Sequence, residues 1–199
     1  MVIRLKYGNT NTFLIRGSNG NLLVDTDYAG TLPSFYRAIK EQDIKISDIT
    51  YVIATHYHPD HMGLISELMQ QGVKLLLIDS QARYVHYSDE IFARYKRFAY
   101  EPINENIAHT ISFEESRDFL KSLGIEGEII HTSSHSEDSI SLILDDGSCL
   151  VGDLEPVEYI GAYENNSALA DDWEHIMRYK PRAIYYAHRP CAEIEKSLE

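Results

Sequence analysis

Residues 55–63 read Thr55-His56-Tyr57-His58-Pro59-Asp60-His61-Met62-Gly63, placing three histidines and an aspartate close together. In an extended segment, side chains two apart point the same way. His56 and His58 can therefore face one metal ion, with Tyr57 turned away. Pro59 disfavours helix at His58 and bends the chain. Asp60 and His61 follow at the turn, within reach of a second ion. Neutral imidazole with carboxylate suits zinc, iron or manganese, and the lack of thiolate argues against a closed structural zinc site. The competing reading is a polar surface turn with chance histidines. The preceding apolar run, residues 49–54, favours the metal reading, because open α/β sheets place their chemistry beyond strand ends.

Three further ligand-type side chains stand where strands are expected to end. His135 follows a strand at 128–131. Asp153 follows one at 148–151, after Gly152, whose lack of a Cβ lets the backbone approach closely. His188 follows one at 183–187. His86, His109 and His175 have no partner at ligand spacing and read as non-catalytic. Asp25 closes an early strand and reads equally as a turn residue or as a support for the site.

The elements that must carry these groups follow from periodicity and turn chemistry. Strands are expected at 2–6, 11–16 and 21–25, the last two joined by Gly17-Ser18-Asn19-Gly20 as a hairpin. Residues 32–41 place Leu32, Phe35, Tyr36 and Ile39 on one helical face. Residues 64–71 form a second amphipathic helix that Gly72 stops, followed by a short buried strand at 74–78. Strand, helix, strand implies a parallel crossover. From 80 to about 123 the strands are expected to stop, leaving a two-helix insertion whose second helix is announced by a capping box at Ser112 and Glu115. The insertion holds the basic run Arg94-Tyr95-Lys96-Arg97. It is either a cap that grips substrate through Arg94, Tyr95 and Arg97, or an amphipathic pair with solvated charges. Beyond it, Asp145-Asp146-Gly147 turns a hairpin between 139–144 and 148–151, and a helix is expected at 171–180.

Length and composition bound the function. The 199 residues suffice for one domain, 1–199. A net charge of -13 disfavours nucleic acid and anionic membrane surfaces. The N-terminus lacks a secretory apolar segment, so a cytoplasmic location is expected. Cys149 and Cys191 form no motif, and Cys149 reads as core.

His-x-His-x-Asp-His after an apolar strand, with His135, Asp153 and His188 following in order, resembles the metal set of the metallo-β-lactamase superfamily. The resemblance runs from the Asp25 strand to the His188 strand. It implies an α/β (α+β) fold, a four-layer αββα sandwich, with a two-metal site at one edge. It implies that His56, His58 and His135 hold one divalent ion, that Asp60, His61 and His188 hold the other, and that Asp153 bridges them. Zinc is the favoured metal, with iron or manganese as alternatives. The implied activity is hydrolysis of a small-molecule ester, thioester or lactone by hydroxide generated at neutral pH, with Asp60 also orienting the hydroxide or moving its proton. A phosphodiesterase or a non-catalytic metal-dependent binding or sensing module are the alternatives. Several flanks depart from the family pattern: Asp27 in place of Gly after Asp25-Thr26, Ser133-Ser134 before His135, Leu154-Glu155 after Asp153 and Arg189 after His188.

Overall fold

The computed structural model describes residues 1–94, 100–162 and 166–194. Two sheets stack between helices. The first runs β1 (Val2–Lys6), β2 (Asn11–Arg16), β3 (Asn21–Val24), β4 (Tyr51–Ile53), β5 (Lys74–Ile78) and β6 (His109–Ile111), in that spatial order. β1 to β3 pair antiparallel, and β3 to β6 pair parallel. The second sheet contains β7 (Gly127–His131), β8 (Ile140–Leu144), β9 (Ser148–Gly152), β10 (Ala183–Tyr186) and β11 (Ala192–Glu193), in spatial order β11-β10-β9-β8-β7. The β7-β8-β9 meander is antiparallel, while β10 lies parallel to β9.

Alternation along the strands creates the layers. Leu14, Leu23, Val52 and Leu75 face outward from the first sheet. They pack on Phe35 and Ile39 of α1 (Leu32–Glu41). Ile65 and Leu68 of α3 (Ile65–Gln70), which follows the short α2 (Pro59–Met62), complete that layer. Their neighbours Phe13, Ile15, Leu22, Val24 and Ile53 face inward, against Ile129, Leu142 and Leu150 of the second sheet. Ile143, Cys149, Val151 and Ile184 face out from the second sheet onto Leu169, Trp173 and Ile176 of α6 (Ser167–Met177). Period-two strands buried on both faces and helices with one apolar face thus produce the αββα order. Cys149 is core.

The expectation that strands stop between 80 and 123 needs correction. The segment holds two helices, α4 (Asp89–Arg94) and α5 (Ser116–Ser122), but β6 lies between them and extends the first sheet beside β5. The capping box forms one turn ahead of α5: Ser112 N donates to Glu115 Oε2 at 2.8 Å, and Glu115 N donates to Ser112 Oγ at 3.4 Å. Helix α6 starts four residues earlier than its periodicity predicts, with Leu169 joining the buried face. Among the described residues no helix is long and apolar enough to cross a membrane.

The topology brings the chemistry to one edge. β3 and β4 run parallel, so Asp25 and Thr55-His56 emerge together. β7 and β9 both run antiparallel to β8, and β10 runs parallel to β9, so the residues after all three leave the second sheet on one side. The two sheets meet there: Ile140 N donates to Thr55 O at 2.9 Å, and Asn11 N donates to Ala187 O at 2.6 Å. Gly152 is required at this junction. Its φ is +57°, and a Cβ would lie 2.5 Å from Thr55 Oγ1.

Candidate metal centre

His56 and His58 flank Tyr57 where the chain bends beyond β4, and the two histidines still face one way with Tyr57 turned the other. Tyr57 turns into the core, its N–H donating to Asp138 Oδ2 at 2.7 Å and its carbonyl accepting from Ser88 Oγ at 2.6 Å. Pro59 opens α2, which carries Asp60 and His61. Gly63 lets this turn press on the β3 end: a Cβ there would sit 2.3 Å from Ala29 N. His56 and His61 are fully buried.

All seven predicted donors converge. His58 Nδ1 lies 3.0 Å from His56 Nε2 and 3.2 Å from His135 Nε2. A tetrahedral zinc with bonds of 2.0–2.1 Å to nitrogen places its ligand atoms about 3.3 Å apart. The three ring nitrogens are therefore spaced like ligands of one ion. A second group comprises Asp60, His61 and His188, with Asp60 Oδ2 3.2 Å from His188 Nε2. Asp153 spans the two groups: Oδ2 is 3.3 Å from His61 Nε2 and 3.7 Å from His135 Nε2, and Oδ1 is 3.2 Å from His188 Nε2. Within each group the ligand atoms lie within 4.8 Å of one another.

The donors fit a cation better than they fit each other. Both ring nitrogens of His61 and Asp153 Oδ1 are buried without a hydrogen-bond partner among the described residues. Their close contacts miss hydrogen-bond alignment. Such groups are costly to bury unless something satisfies them. Electrostatics agree. Burial pushes the His56 imidazole well below its ordinary value, and burial lowers His135 too, leaving lone pairs free to bind metal. Burial alone would lower His61, but the Asp25 and Asp153 carboxylates outweigh it and lift it to about 10. Contacts with Asp153 and then Asp60 lift His188 to about 10. Burial would raise Asp153, but His188 and His61 overcome it and hold the carboxyl far below the usual range. The carboxylates among the donors call for positive charge, which a bound metal would supply.

A second layer holds the donors. Asp25 accepts from Thr55 N at 2.6 Å and places Oδ2 3.1 Å from His61 Nδ1, the position from which a carboxylate would support the site. Asp27 accepts from Thr10 N at 3.1 Å, and Thr10 Oγ1 donates to the Asp60 carbonyl at 2.7 Å. Asn11 Nδ2 donates to the carbonyls of Tyr186 and Arg189, both at 2.9 Å, and so fixes the loop bearing His188. Thr10 and Asn11 gave no signal in the sequence, because these partners lie 17 to 178 residues away.

The insertion reaches the site through Tyr87, whose ring centroid is 6.0 Å from that of His58. Arg94 is exposed and pairs with Glu90 at 3.5 Å. Tyr95 and Arg97 lie outside the described residues. His86 bridges Asp89 and Glu105, away from the donors. On the other side, a cavity of about 260 Å³ opens from His135, Asp153 and His188 toward Glu155, Tyr186 and Arg189.

The comparisons with known proteins agree with this fold. The chain is 25% identical over 199 aligned residues to Beta-lactamase-like protein 2 homolog of Drosophila melanogaster, covering 94% of this chain and 62% of the fly protein. It spans smaller fractions of other curated relatives that it matches. Metallo-beta-lactamase family protein TTHA1429 from Thermus thermophilus superposes with a TM-score of 0.72 at 16% identity, covering 97% of this chain and 74% of that one. TTHA1623, solved in a di-iron-bound form, superposes with a TM-score of 0.70 at 18% identity, covering 97% and 94%. The sequence pattern of the family matches residues 5–188, from the first strand to the last donor histidine, and the chain belongs to the metallo-beta-lactamase superfamily.

Proposed function

We propose that this chain is a dinuclear metal-dependent hydrolase acting on a small ester, thioester or lactone. The observation that carries the reading is the convergence of seven donors from both sheets on two adjoining positions, with His61 Nε2 and Asp153 Oδ1 buried and unsatisfied between them. His56, His58 and His135 would hold one divalent ion, and Asp60, His61 and His188 the other, with Asp153 spanning both. A structural site closes four ligands around one ion; seven donors leave positions open for substrate and water. When bound, a metal pair supplies Lewis acidity and lowers the pKa of the water it holds to about 7.

The chain's own residues contribute the rest. Asp60 is half-buried at the site. Burial would raise its pKa, but His188 and His61 outweigh burial and keep it ionised. Its carboxylate can therefore accept a hydrogen from the attacking water at Oδ1, while Thr10 fixes its backbone. The all-nitrogen and oxygen donor set suits zinc, and the di-iron form of TTHA1623 makes iron the next metal to test.

Two observations weigh against a phosphodiesterase. The net charge is -13, and Arg83 and Arg94 of the insertion each pair with a glutamate. A non-catalytic binding module would hold metal without turnover. The test is metal content of the purified chain, then a panel of esters, thioesters and lactones with wild type and Asp60→Ala. About two equivalents of metal and hydrolysis lost in Asp60→Ala are expected. Full activity in Asp60→Ala refutes the site as drawn. Metal without turnover across the panel supports the binding module.

A further inference from the structure

We propose that the substrate carries a carboxylate, which Arg189 binds across the cavity from the donor cluster while the scissile group lies over Asp153 and His188. This rests on the hydrolase reading and names its substrate class. Four observations support it.

Arg189 lines the same cavity as His135, Asp153 and His188, and it is the one arginine or lysine on that wall among the described residues. Its guanidinium is unspent. In this strongly acidic chain, Arg83, Arg94, Arg117 and Arg178 each take a carboxylate partner, while Arg4 and Arg37, away from this cavity, bond neutral side chains. Arg189 has no ion pair among the described residues, not even with Glu155 on the same wall. Instead it lies over the Tyr159 ring, 5.2 Å from the centroid, with Nη2 donating to the Tyr159 hydroxyl at 3.5 Å. Stacking on an aromatic face orients the planar fork while leaving N–H donors for a carboxylate to accept from in bidentate geometry.

The backbone beneath it is also fixed. Asn11, buried in β2, donates to the carbonyls of Tyr186 and Arg189 and spans the loop that also carries His188. The distance from the Arg189 backbone to the donor cluster is thus set by the fold rather than by a free loop. Finally, the cavity holds about 260 Å³. This lies near the small end of ligand sites, so a single charged group would account for much of what the cavity recognises. A compact acyl ester or thioester with a carboxylate on its acyl part fits these limits.

The test uses the full chain, zinc-loaded and metal-free, with a non-hydrolysable amide bearing a terminal carboxylate and its twin capped as a neutral methylamide. Binding is measured by calorimetry. In the wild type the acid is expected to bind at least tenfold tighter than its twin, and the preference is expected to fall to within twofold in Arg189→Met. Arg189→Lys should retain part of it, because charge survives but the fork does not. A preference that persists unchanged in Arg189→Met overturns the inference, since the carboxylate is then read by the metals or by another group. No binding of either compound also overturns it. Hydrolysis of the matching esters is followed in parallel. Turnover without a carboxylate preference removes this inference and leaves the hydrolase reading. An Arg189-dependent preference without turnover of any ester removes the hydrolase reading and keeps the carboxylate site.

Discussion

Among single residues, Asp25 shows how a buried carboxylate serves a neighbour's chemistry. It adopts φ +59°, a left-handed backbone that asparagine and aspartate tolerate best. Its carboxylate satisfies Thr55 N and Oγ1 and faces His61 Nδ1 at 3.1 Å. Carboxylates behind metal-binding histidines fix ring orientation and raise basicity, and losing one costs about 10–100-fold in metal affinity. Asp25→Asn keeps the shape and the backbone preference but removes the charge. Its affinity for the second metal equivalent should fall by about that factor, with the melting curve near wild type. Chelator competition measures this, and unchanged affinity would show that Asp25 is only a turn residue. The sequence carried both readings of Asp25, because a strand-end aspartate looks the same whether it caps a turn or faces an imidazole 36 residues ahead. The candidate donors were legible as a cluster, since four ligand types follow β4 within six residues and the other three follow β7, β9 and β10. Arg189 was visible only as a departure from the family pattern; its meaning needed the cavity.

Elements were legible where periodicity and turn chemistry coincide. Helix α1 occupies Leu32–Glu41, as its apolar face predicts, and the Asp145-Asp146-Gly147 hairpin forms. Strand β6 was illegible because it is three residues long, with His109 and Thr110 exposed. It exists because β5 offers an unpaired edge, a tertiary cause without a local pattern. The junction at the end of β9 can be tested directly. Gly152→Ala forces an alanine into φ +57° and a Cβ against Thr55. Left-handed backbone alone costs about 1–2 kcal/mol, and the clash adds to it. A lower urea midpoint together with weaker metal binding is expected, because Thr55 adjoins His56. A variant as stable as wild type would mean that the two strand ends are free to part.

The insertion permits a second test at this scale. His86 joins Asp89 at the start of α4 to Glu105, at 2.8 and 3.0 Å. Burial is the largest single influence and opposes protonation, but the contacts with Asp89 and Glu105 together outweigh it and raise the pKa. A raised folded value means that the stabilisation is fully present below about 6.5. It is lost as pH rises through the folded value. The pair is exposed, so its worth is below about 1 kcal/mol. Amide exchange across residues 84–94 should therefore slow in the wild type at pH 6 relative to pH 9, after correction for intrinsic rates. His86→Ala should abolish that difference. An identical pH response in both proteins would remove the bridge as a tie.

Across the whole molecule, the donors divide between the sheets. His56, His58, Asp60 and His61 follow β4 of the first, while His135, Asp153 and His188 follow β7, β9 and β10 of the second. Any ion bound by His56, His58 and His135 is therefore a cross-link between sheets, and its binding energy is also docking energy. The unfolded chain has no such site, so metal stabilises the fold by mass action, about 2.7 kcal/mol at a hundredfold excess over Kd. For a chain of this length each kcal/mol moves the melting point by about 2–4 °C. Stripping the metal should therefore lower the melting temperature by about 5–10 °C, and readdition should restore it. The cross-link makes a sharper prediction than the shift alone. Replacing all three donors of the second sheet, His135→Ala with Asp153→Ala and His188→Ala, leaves only donors that follow β4, so this triple variant should lose most of the metal-dependent shift. If the triple variant still gains the full shift, the ions are held by the first sheet alone and stabilise a local loop. Sheet docking would then rest on the apolar layer of Phe13, Ile15, Leu142 and Leu150 without help from the site.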